Sequence, residues 1–178
     1  MSYTSQPVDR ARRTKKTIAI APSAGAADYA IQTFVFTGIV RAKFWGEVVG
    51  VDEVTVMSGA GLSLFDDDNW TKLKDITAHT LDLSAVALNA KLIRNSGDET
   101  DNLDLKSGLN FLSDIGNAPL LAEVIMYDKT GAESTVQFLV TMNADTDAEI
   151  RWYCEWVPLT DGASVTEGDG SVHKFVVA

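Results

Sequence analysis

The residues best suited to chemistry in this chain form a basic cluster near its beginning. Five cationic side chains fall close together there, namely Arg10, Arg12, Arg13, Lys15 and Lys16. With Asp9 as its one acidic residue, the segment 1–16 carries a charge of +4, and subtracting this from the formal −10 of the chain leaves −14 for the remainder. Guanidinium and ammonium groups bind carboxylates well. A basic segment on an acidic body is therefore typical of a tail that docks on an acidic partner.

Acidic clusters are the natural place to look for a bound cation. Three occur, at residues 66–68, 98–104 and 145–149. None has the spacing of a calcium-binding loop, and the first lacks the glycine that turns such a loop back on itself. We therefore expect solvated acidic loops, with no structural metal and no cofactor.

Nucleophilic catalysis finds little support in the sequence. The two histidines, His79 and His173, lie outside any recognisable nucleophile motif. The single cysteine, Cys154, cannot form an intramolecular disulfide. It alternates with apolar residues, which predicts an inert core residue. The sequence thus predicts that the protein is not an enzyme.

Aromatic residues offer a different kind of site. Trp45, Trp70, Tyr153 and Trp156 are of the types that stack on sugars, and β-sandwiches often carry carbohydrate sites. The alternative, which we favour, is that Trp152 and Trp156 fill the core while Trp45 covers a contact between subunits.

The elements that must position these residues are strands. Every even position from 34 to 48 is apolar or glycine, which predicts one long strand with a buried face that bends at Gly38 or Gly46. Runs 134–142 and 149–157 alternate similarly, and the turn at 128–131 predicts a hairpin between runs 121–127 and 134–142. Eight to ten short strands without a helix longer than two turns indicate an all-β fold, an antiparallel β-sandwich or jelly roll with an extended N-terminal arm.

The domain organisation follows from the same patterns. We expect an extended basic N-terminal arm and linker at residues 1–30, with a short strand at 17–20, and a β-sandwich domain at residues 31–178. Shared parity on three alternating runs predicts a single core formed by Phe34, Phe36, Val40, Phe44, Val136, Phe138, Val140, Trp152 and Cys154.

Composition also argues against two classes of partner. The acidic body lacks the positive surface that phosphate binding needs, so we expect no nucleic acid partner. No apolar run approaches the ~20 residues that span a bilayer, and no secretory leader is recognisable, so we expect no membrane partner.

Two stretches carry a resemblance to a known class of proteins. FVFTGIVRAKFWGEVV at 34–49 and IRWYCEWVPLTDGASV at 150–165 resemble β-rich structural proteins of tailed-bacteriophage virions. In that class a Thr-Gly-x-Val strand pairs with a late strand that ends near Pro-Leu-x-Asp-Gly. The similar regions cover about 34–95 and 121–165.

The resemblance implies a structural function. We expect a capsid decoration (cement) protein that stabilises the major capsid protein lattice from outside, forms a homotrimer, and resides in the virion after assembly in the host cytoplasm. The basic cluster would contact the major capsid protein or other copies of the chain. Two alternatives stay open: a tail or fibre component that binds host glycans, and a free carbohydrate-binding module.

Overall fold

The described part of the chain is mostly strand and contains no helix. The computed structural model describes residues 11–19, 27–50, 57–66, 70–83, 86–93, 100–101, 103–106, 123–127, 133–142 and 149–175. The strands form two antiparallel six-stranded sheets on either side of one hydrophobic core. The predicted all-β antiparallel sandwich is confirmed.

The two sheets divide the chain without regard to its order. Sheet I contains, in order across the sheet, β1 (Arg12–Ala19), β10 (Glu149–Pro158), β3 (Ile39–Gly50), β6 (Lys91–Ile93) and β7 (Asp104–Lys106). β8 (Val124–Tyr127) pairs with the first part of β3. Sheet II contains, in order, β11 (Ser164–Glu167), β2 (Ala27–Thr37), β9 (Ser134–Met142), β4 (Met57–Asp66) and β5 (Lys72–Asp75). β12 (Val172–Phe175) pairs with the first part of β2.

Gly38 divides the predicted long strand into β2 and β3, which lie in different sheets. Its φ of +70° lies in a region that residues with a side chain rarely adopt. A Cβ atom at this position would lie 2.8 Å from the Thr160 hydroxyl oxygen and 2.9 Å from the Ala163 Cβ. Because the chain turns this corner, even-numbered side chains such as Phe36 and Val40 face the same core from opposite sheets. The bend that the sequence predicts at one of two glycines is found at Gly38.

A β-bulge in β2 changes which side chains face the core. The register between β2 and β9 shifts between Gln32 and Phe34. Tyr29, at an odd position before the bulge, and Phe34, at an even position after it, both pack in the core. The buried hydroxyl of Thr33 donates a hydrogen bond to the carbonyl oxygen of Val136 at 2.7 Å. An extra residue of this kind interrupts the period of two, so the core-facing positions of β2 are odd before the bulge and even after it.

The predicted core is confirmed. Each of its nine residues is at most 1% exposed, namely Phe34, Phe36, Val40, Phe44, Val136, Phe138, Val140, Trp152 and Cys154. Phe138 of sheet II packs against Trp152 of sheet I with ring centroids 5.2 Å apart. Trp156 is also buried in this cluster, as the core interpretation of the two tryptophans required.

Part of the expected N-terminal arm is a strand of sheet I. Arg12–Ala19 form β1, which pairs antiparallel with β10 along its whole length. β2 begins at Ala27, so the boundary expected after residue 30 falls inside a strand of sheet II. An edge strand needs only backbone hydrogen bonds to one neighbour, which explains how a segment without apolar periodicity joins the sandwich. Arg10 lies outside the described residues.

The predicted hairpin is wrong. β8 pairs with β3 in sheet I, whereas β9 pairs with β2 and β4 in sheet II. Two strand-forming runs beside a turn can belong to two sheets of a sandwich as well as to one hairpin, and the local sequence does not distinguish these arrangements.

Candidate functional site on the outer face of sheet I

The outer face of sheet I brings together basic side chains from neighbouring strands. On β10, Trp152 and Cys154 point to the core, so Tyr153 points outward. The antiparallel register places Lys15 of β1 on one side of Tyr153 and Trp45 of β3 on the other. We call this surface the basic face and define it by the basic residues Arg13, Lys15, Arg41, Lys43, Lys91 and Arg151.

The basic face is positive on an otherwise acidic chain. It holds six basic side chains, together with the carboxylates of Glu47, Glu123 and Glu155 and the exposed Glu149 at the end of β10. Among the described side chains of this face the formal charge is therefore +2, whereas the whole chain carries −10. A local field of this sign attracts anionic groups toward one side of the molecule.

Three of the ion pairs on the basic face are exposed. Arg13 lies 3.3 Å from Glu155, and Arg41 and Lys43 lie 3.6 and 3.5 Å from the two carboxylate oxygens of Glu123. These side chains are 32–60% exposed. Exposed pairs contribute only about 0–1 kcal/mol each. The main effect of these pairs is to hold the basic side chains in place. Carboxylates of a partner can then replace the carboxylates of Glu123 and Glu155.

An aromatic pair lies at the centre of the basic face. Trp45 and Tyr153 stack with ring centroids 5.2 Å apart and an interplanar angle of 10°. The guanidinium carbon of Arg13 lies 5.2 Å from the centroid of the Trp45 ring. The Tyr153 hydroxyl donates to a carboxylate oxygen of Glu47 at 3.4 Å, and Glu47 also pairs with Lys91. The rings thus tie the charged groups of three strands into one network.

The even-numbered side chains of β1 lie on the opposite side of the strand. Arg12 lies with its guanidinium carbon 5.0 Å from the ring centroid of Trp156. The Trp156 indole N–H donates to the Thr14 hydroxyl at 3.1 Å, and that hydroxyl donates to the carbonyl oxygen of Val165 at 3.0 Å. These contacts close the open end of the core between the two sheets with polar groups.

Lys16 shares this second side. The backbone N–H of Ser171 lowers the pKa of Asp169 by donating to its carboxylate at 2.7 Å, and the charge of Lys16 lowers the same pKa further. Of the predicted partner-binding residues, the structure therefore brings Arg13 and Lys15 to the basic face. It places Arg12 and Lys16 on the other side of the same strand.

A groove of about 250 Å³ crosses the basic face where β1, β10, β3 and β8 meet. Its polar lining includes Arg41, Lys43, Glu123 and Glu155. Ile125, which lies opposite Arg41 in the β3–β8 register, is 61% exposed beside it. A shallow lining of mixed charge suits a segment of another polypeptide better than a small apolar ligand.

A second polar cluster, which no sequence motif predicts, lies on sheet II. The Ser63 hydroxyl donates to Asp75 at 2.6 Å and lies 2.8 Å from Nε2 of His79. That nitrogen is 3.3 Å from the same Asp75 oxygen, and Lys72 pairs with Asp75 at 3.3 Å. Ser63, Asp75 and His79 are up to 16 positions apart in the chain and belong to no motif, so only the pairing of β4 with β5 and with the segment after it reveals the cluster.

The geometry of this cluster differs from that of a serine hydrolase. A catalytic aspartate binds the imidazole nitrogen that faces away from the serine, whereas here Nε2 of His79 faces both Ser63 and Asp75. Ser63 is fully buried and its proton is directed to Asp75. Burial lowers the pKa of His79, and the charge of Asp75 opposes that shift. The arrangement holds the His79 segment against β4.

The remaining candidate residues are accounted for as follows. Cys154 is buried, and burial raises the pKa of its thiol. Asp66 is buried at the end of β4, while 67–69, 94–99 and 143–148 lie outside the described residues. Within the described ranges, no group of three or more His, Cys, Asp or Glu residues is placed to hold a metal ion.

Comparisons with known proteins identify no relative. No family model, no curated protein and no solved structure matches this chain. Among the described residues, no helix has the length and apolar character needed to cross a membrane.

Proposed function

We propose that this protein is a structural component of a tailed-bacteriophage virion, a capsid decoration (cement) protein that binds the outer surface of the major capsid protein lattice. The two stretches that resemble virion proteins contribute β3 and β10, which pair with each other at the centre of sheet I. The residues behind the resemblance thus lie next to one another and support the basic face.

The observation that carries the proposal is the segregation of charge. Six basic side chains gather on one exposed face and its edge strand, while the chain as a whole carries −10. A cement protein must bind a large protein surface from one side, and it needs no catalytic reaction to do so. A face built from exchangeable surface ion pairs around the Trp45–Tyr153 stack suits that task.

Attachment through this face requires several contacts acting together. A single exposed pair contributes about 0.2–1 kcal/mol, so one contact alone would not hold the protein on a particle. A homotrimer presents three copies of the basic face to the lattice and raises the effective affinity through multivalency. Binding of this kind weakens as salt screens the charges.

The test is attachment to particles. Particles from the phage-producing host are stripped of the protein and recombined with the wild type or with the pair Arg13→Gln and Lys15→Gln. Occupancy is measured by quantitative gel analysis across a salt series, and the position is determined by cryo-electron microscopy. We expect density on the outer capsid surface and lower occupancy for the double variant.

A matched control uses Lys74→Gln with Lys174→Gln, which removes the same charge from sheet II, where both lysines are exposed. The control should attach like the wild type. Density on the tail, or equal loss of occupancy in both double variants, would contradict attachment to the capsid through the basic face.

One observation favours a second candidate, a tail or fibre component that binds host glycans. Trp45 and Tyr153 are half-buried, and their stacked rings lie in the middle of an outer face. Titration with oligosaccharides, followed by tryptophan fluorescence, distinguishes the two functions. A saturable change that Trp45→Ala abolishes favours glycan binding over the decoration function.

A further inference from the structure

The outer edge of β1 is a long strand edge that pairs with no other strand among the described residues. β1 has eight residues and pairs with β10 on one side. In the part of the chain that the structure describes, no strand pairs with its other side. Alternate residues of an antiparallel strand direct their N–H and C=O groups away from the partner strand, so this edge offers a row of unpaired backbone groups.

β1 is also the longest of the terminal strands of the two described sheets. β5 and β11 at the ends of sheet II have four residues each, and β7 at the far end of sheet I has three. Proteins usually keep exposed edges short or charge them, because a long edge pairs with strands of other molecules. β1 carries charges but is not short. Its charges limit which strands can pair with this edge, but they do not prevent pairing.

The charges of β1 select the kind of strand that fits. The strand contains four basic residues and no acidic residue. Arg13 and Lys15 point to the basic face, while Arg12 and Lys16 point to the other side. A second copy of β1 would place cations opposite cations, which destabilises a pair of strands. An acidic strand would place carboxylates opposite cations on both of its faces.

We propose that the free edge of β1 accepts an extended acidic segment of a partner protein as an additional strand of sheet I. The basic residues fall in two adjacent pairs around Thr14, so the complementary strand carries two pairs of acidic residues separated by one residue. Main-chain hydrogen bonds hold the strand, and the charges select it. The identification of the partner as a capsid protein rests on the proposed function. The inference that an acidic strand pairs with β1 does not.

The test uses a synthetic peptide and hydrogen exchange. The probe is an acetylated and amidated peptide as long as β1, Thr-Val-Glu-Glu-Thr-Glu-Glu-Val. NMR measures amide exchange in the intact protein with and without the peptide. We expect alternate amides between Arg12 and Thr17 to exchange about tenfold more slowly, because new backbone hydrogen bonds protect the outward N–H groups.

Matched controls separate backbone pairing from charge attraction. The same peptide with alternate backbone amides N-methylated keeps its carboxylates but loses donors needed for a ladder, and it should give no protection. A peptide with lysine in place of glutamate should not bind. In the protein, Arg12→Gln with Lys15→Gln should weaken protection by the acidic peptide, whereas Lys74→Gln should not.

The outcomes also separate this inference from the proposed function. If the acidic peptide shifts side-chain signals of β1 but leaves amide exchange unchanged, contact is through side chains alone and the added strand is wrong. If the peptide does not bind at all, the charges of β1 serve only to prevent other strands from pairing with its edge, and the inference is equally wrong. In either case the particle experiment still decides the proposed function, because that experiment measures occupancy and not backbone pairing.

Discussion

The outer faces of the two sheets differ in how far their outward-facing side chains are buried. On sheet II, the outward-facing Gln137 and Leu139 of β9 are at most 1% exposed. On sheet I, the outward-facing Arg151, Tyr153 and Glu155 of β10 are half-buried. Each of these strands lies between two neighbours, so their position within a sheet does not explain the difference.

The chain covers the outer face of sheet II with its own segments. Trp70, which follows β4, contacts His173 of β12 with ring centroids 3.3 Å apart. β9 and β2 lie between β4 and β12, so this contact has to pass over the outer face of both strands. His79 approaches the same sheet at Ser63. The face beneath these groups is therefore buried.

The comparison indicates where a partner can bind. Covering sheet II buries polar groups such as Gln137, whose amide nitrogen donates to Thr135 at 2.7 Å while its oxygen has no partner among the described residues. The β10 face of sheet I keeps its polar groups at the surface as ion pairs. Surface ion pairs exchange partners at little cost, whereas a buried polar group resists rearrangement.

The largest effect is expected in the core that both sheets share. Phe36→Ala removes a fully buried ring and should lower the free energy of unfolding by about 3–5 kcal/mol. Urea denaturation followed by tryptophan fluorescence measures the loss. Val35→Ala, at the neighbouring half-buried position, should cost clearly less. Equal costs at the two positions would contradict the assigned faces of β2.

A smaller loss is expected where sheet II is closed. A Cβ atom at Gly61 would overlap the His79 ring and the carbonyl oxygen of Ala78. Gly61→Ala should therefore displace the covering segment and lower the free energy of unfolding by about 1–3 kcal/mol. Gly162→Ala tests another glycine whose Cβ would meet no atom within 4 Å, although its positive φ adds some strain. If Gly61→Ala leaves amide exchange around Ser63 unchanged, the close approach of His79 does not hold the cover.

The closed face should also make stability depend on pH. Burial lowers the pKa of His79 below its ordinary 6.5, with Asp75 opposing the shift. The unfolded state then binds a proton more readily than the folded state. The contribution to stability is fully present above about pH 6.5 and is lost as pH falls toward the lower folded pKa.

Unfolding free energies measured by urea denaturation between pH 8 and pH 5 check this dependence. His79→Gln should reduce the slope over this range. A slope that is the same in wild type and variant would show that another group is responsible.

The smallest effect on stability is expected on the open face. Arg13→Ala and Glu155→Ala remove an exposed pair, and a double-mutant cycle should give a coupling of about 0.2–1 kcal/mol. Thermal denaturation at low and high salt measures it, with the coupling decreasing as salt rises. A coupling of several kcal/mol would mean that the basic face supports the fold and is not freely exchangeable with a partner.

Much of the sandwich could be predicted because burial on one face of a strand has a period of two. Phe34, Val40, Phe138 and Trp152 were assigned to one core from parity alone, and Gly38 was one of two predicted bends. Parity records which side of a strand faces away from water, and it does so wherever the strand lies in the fold.

Parity did not predict which strands pair. Turn chemistry at 128–131 gave β8 and β9 as a hairpin, and the lack of apolar periodicity left β1 in an arm, because pairing depends on backbone hydrogen bonds that almost any side chains allow. Parity also missed the bulge at Thr33, where one extra residue reverses the inward side.

The candidate sites divide in the same way. The sequence by itself placed four basic residues within the eight-residue stretch Arg12–Ala19 of an acidic chain. Only the tertiary structure decided that Arg13 and Lys15 join the basic face while Arg12 and Lys16 face the other side, because that division depends on pairing with β10. The Ser63–Asp75–His79 cluster arose from the pairing of β4 with β5 and with the segment that follows it, since residues distant in sequence meet only when the sheet has formed.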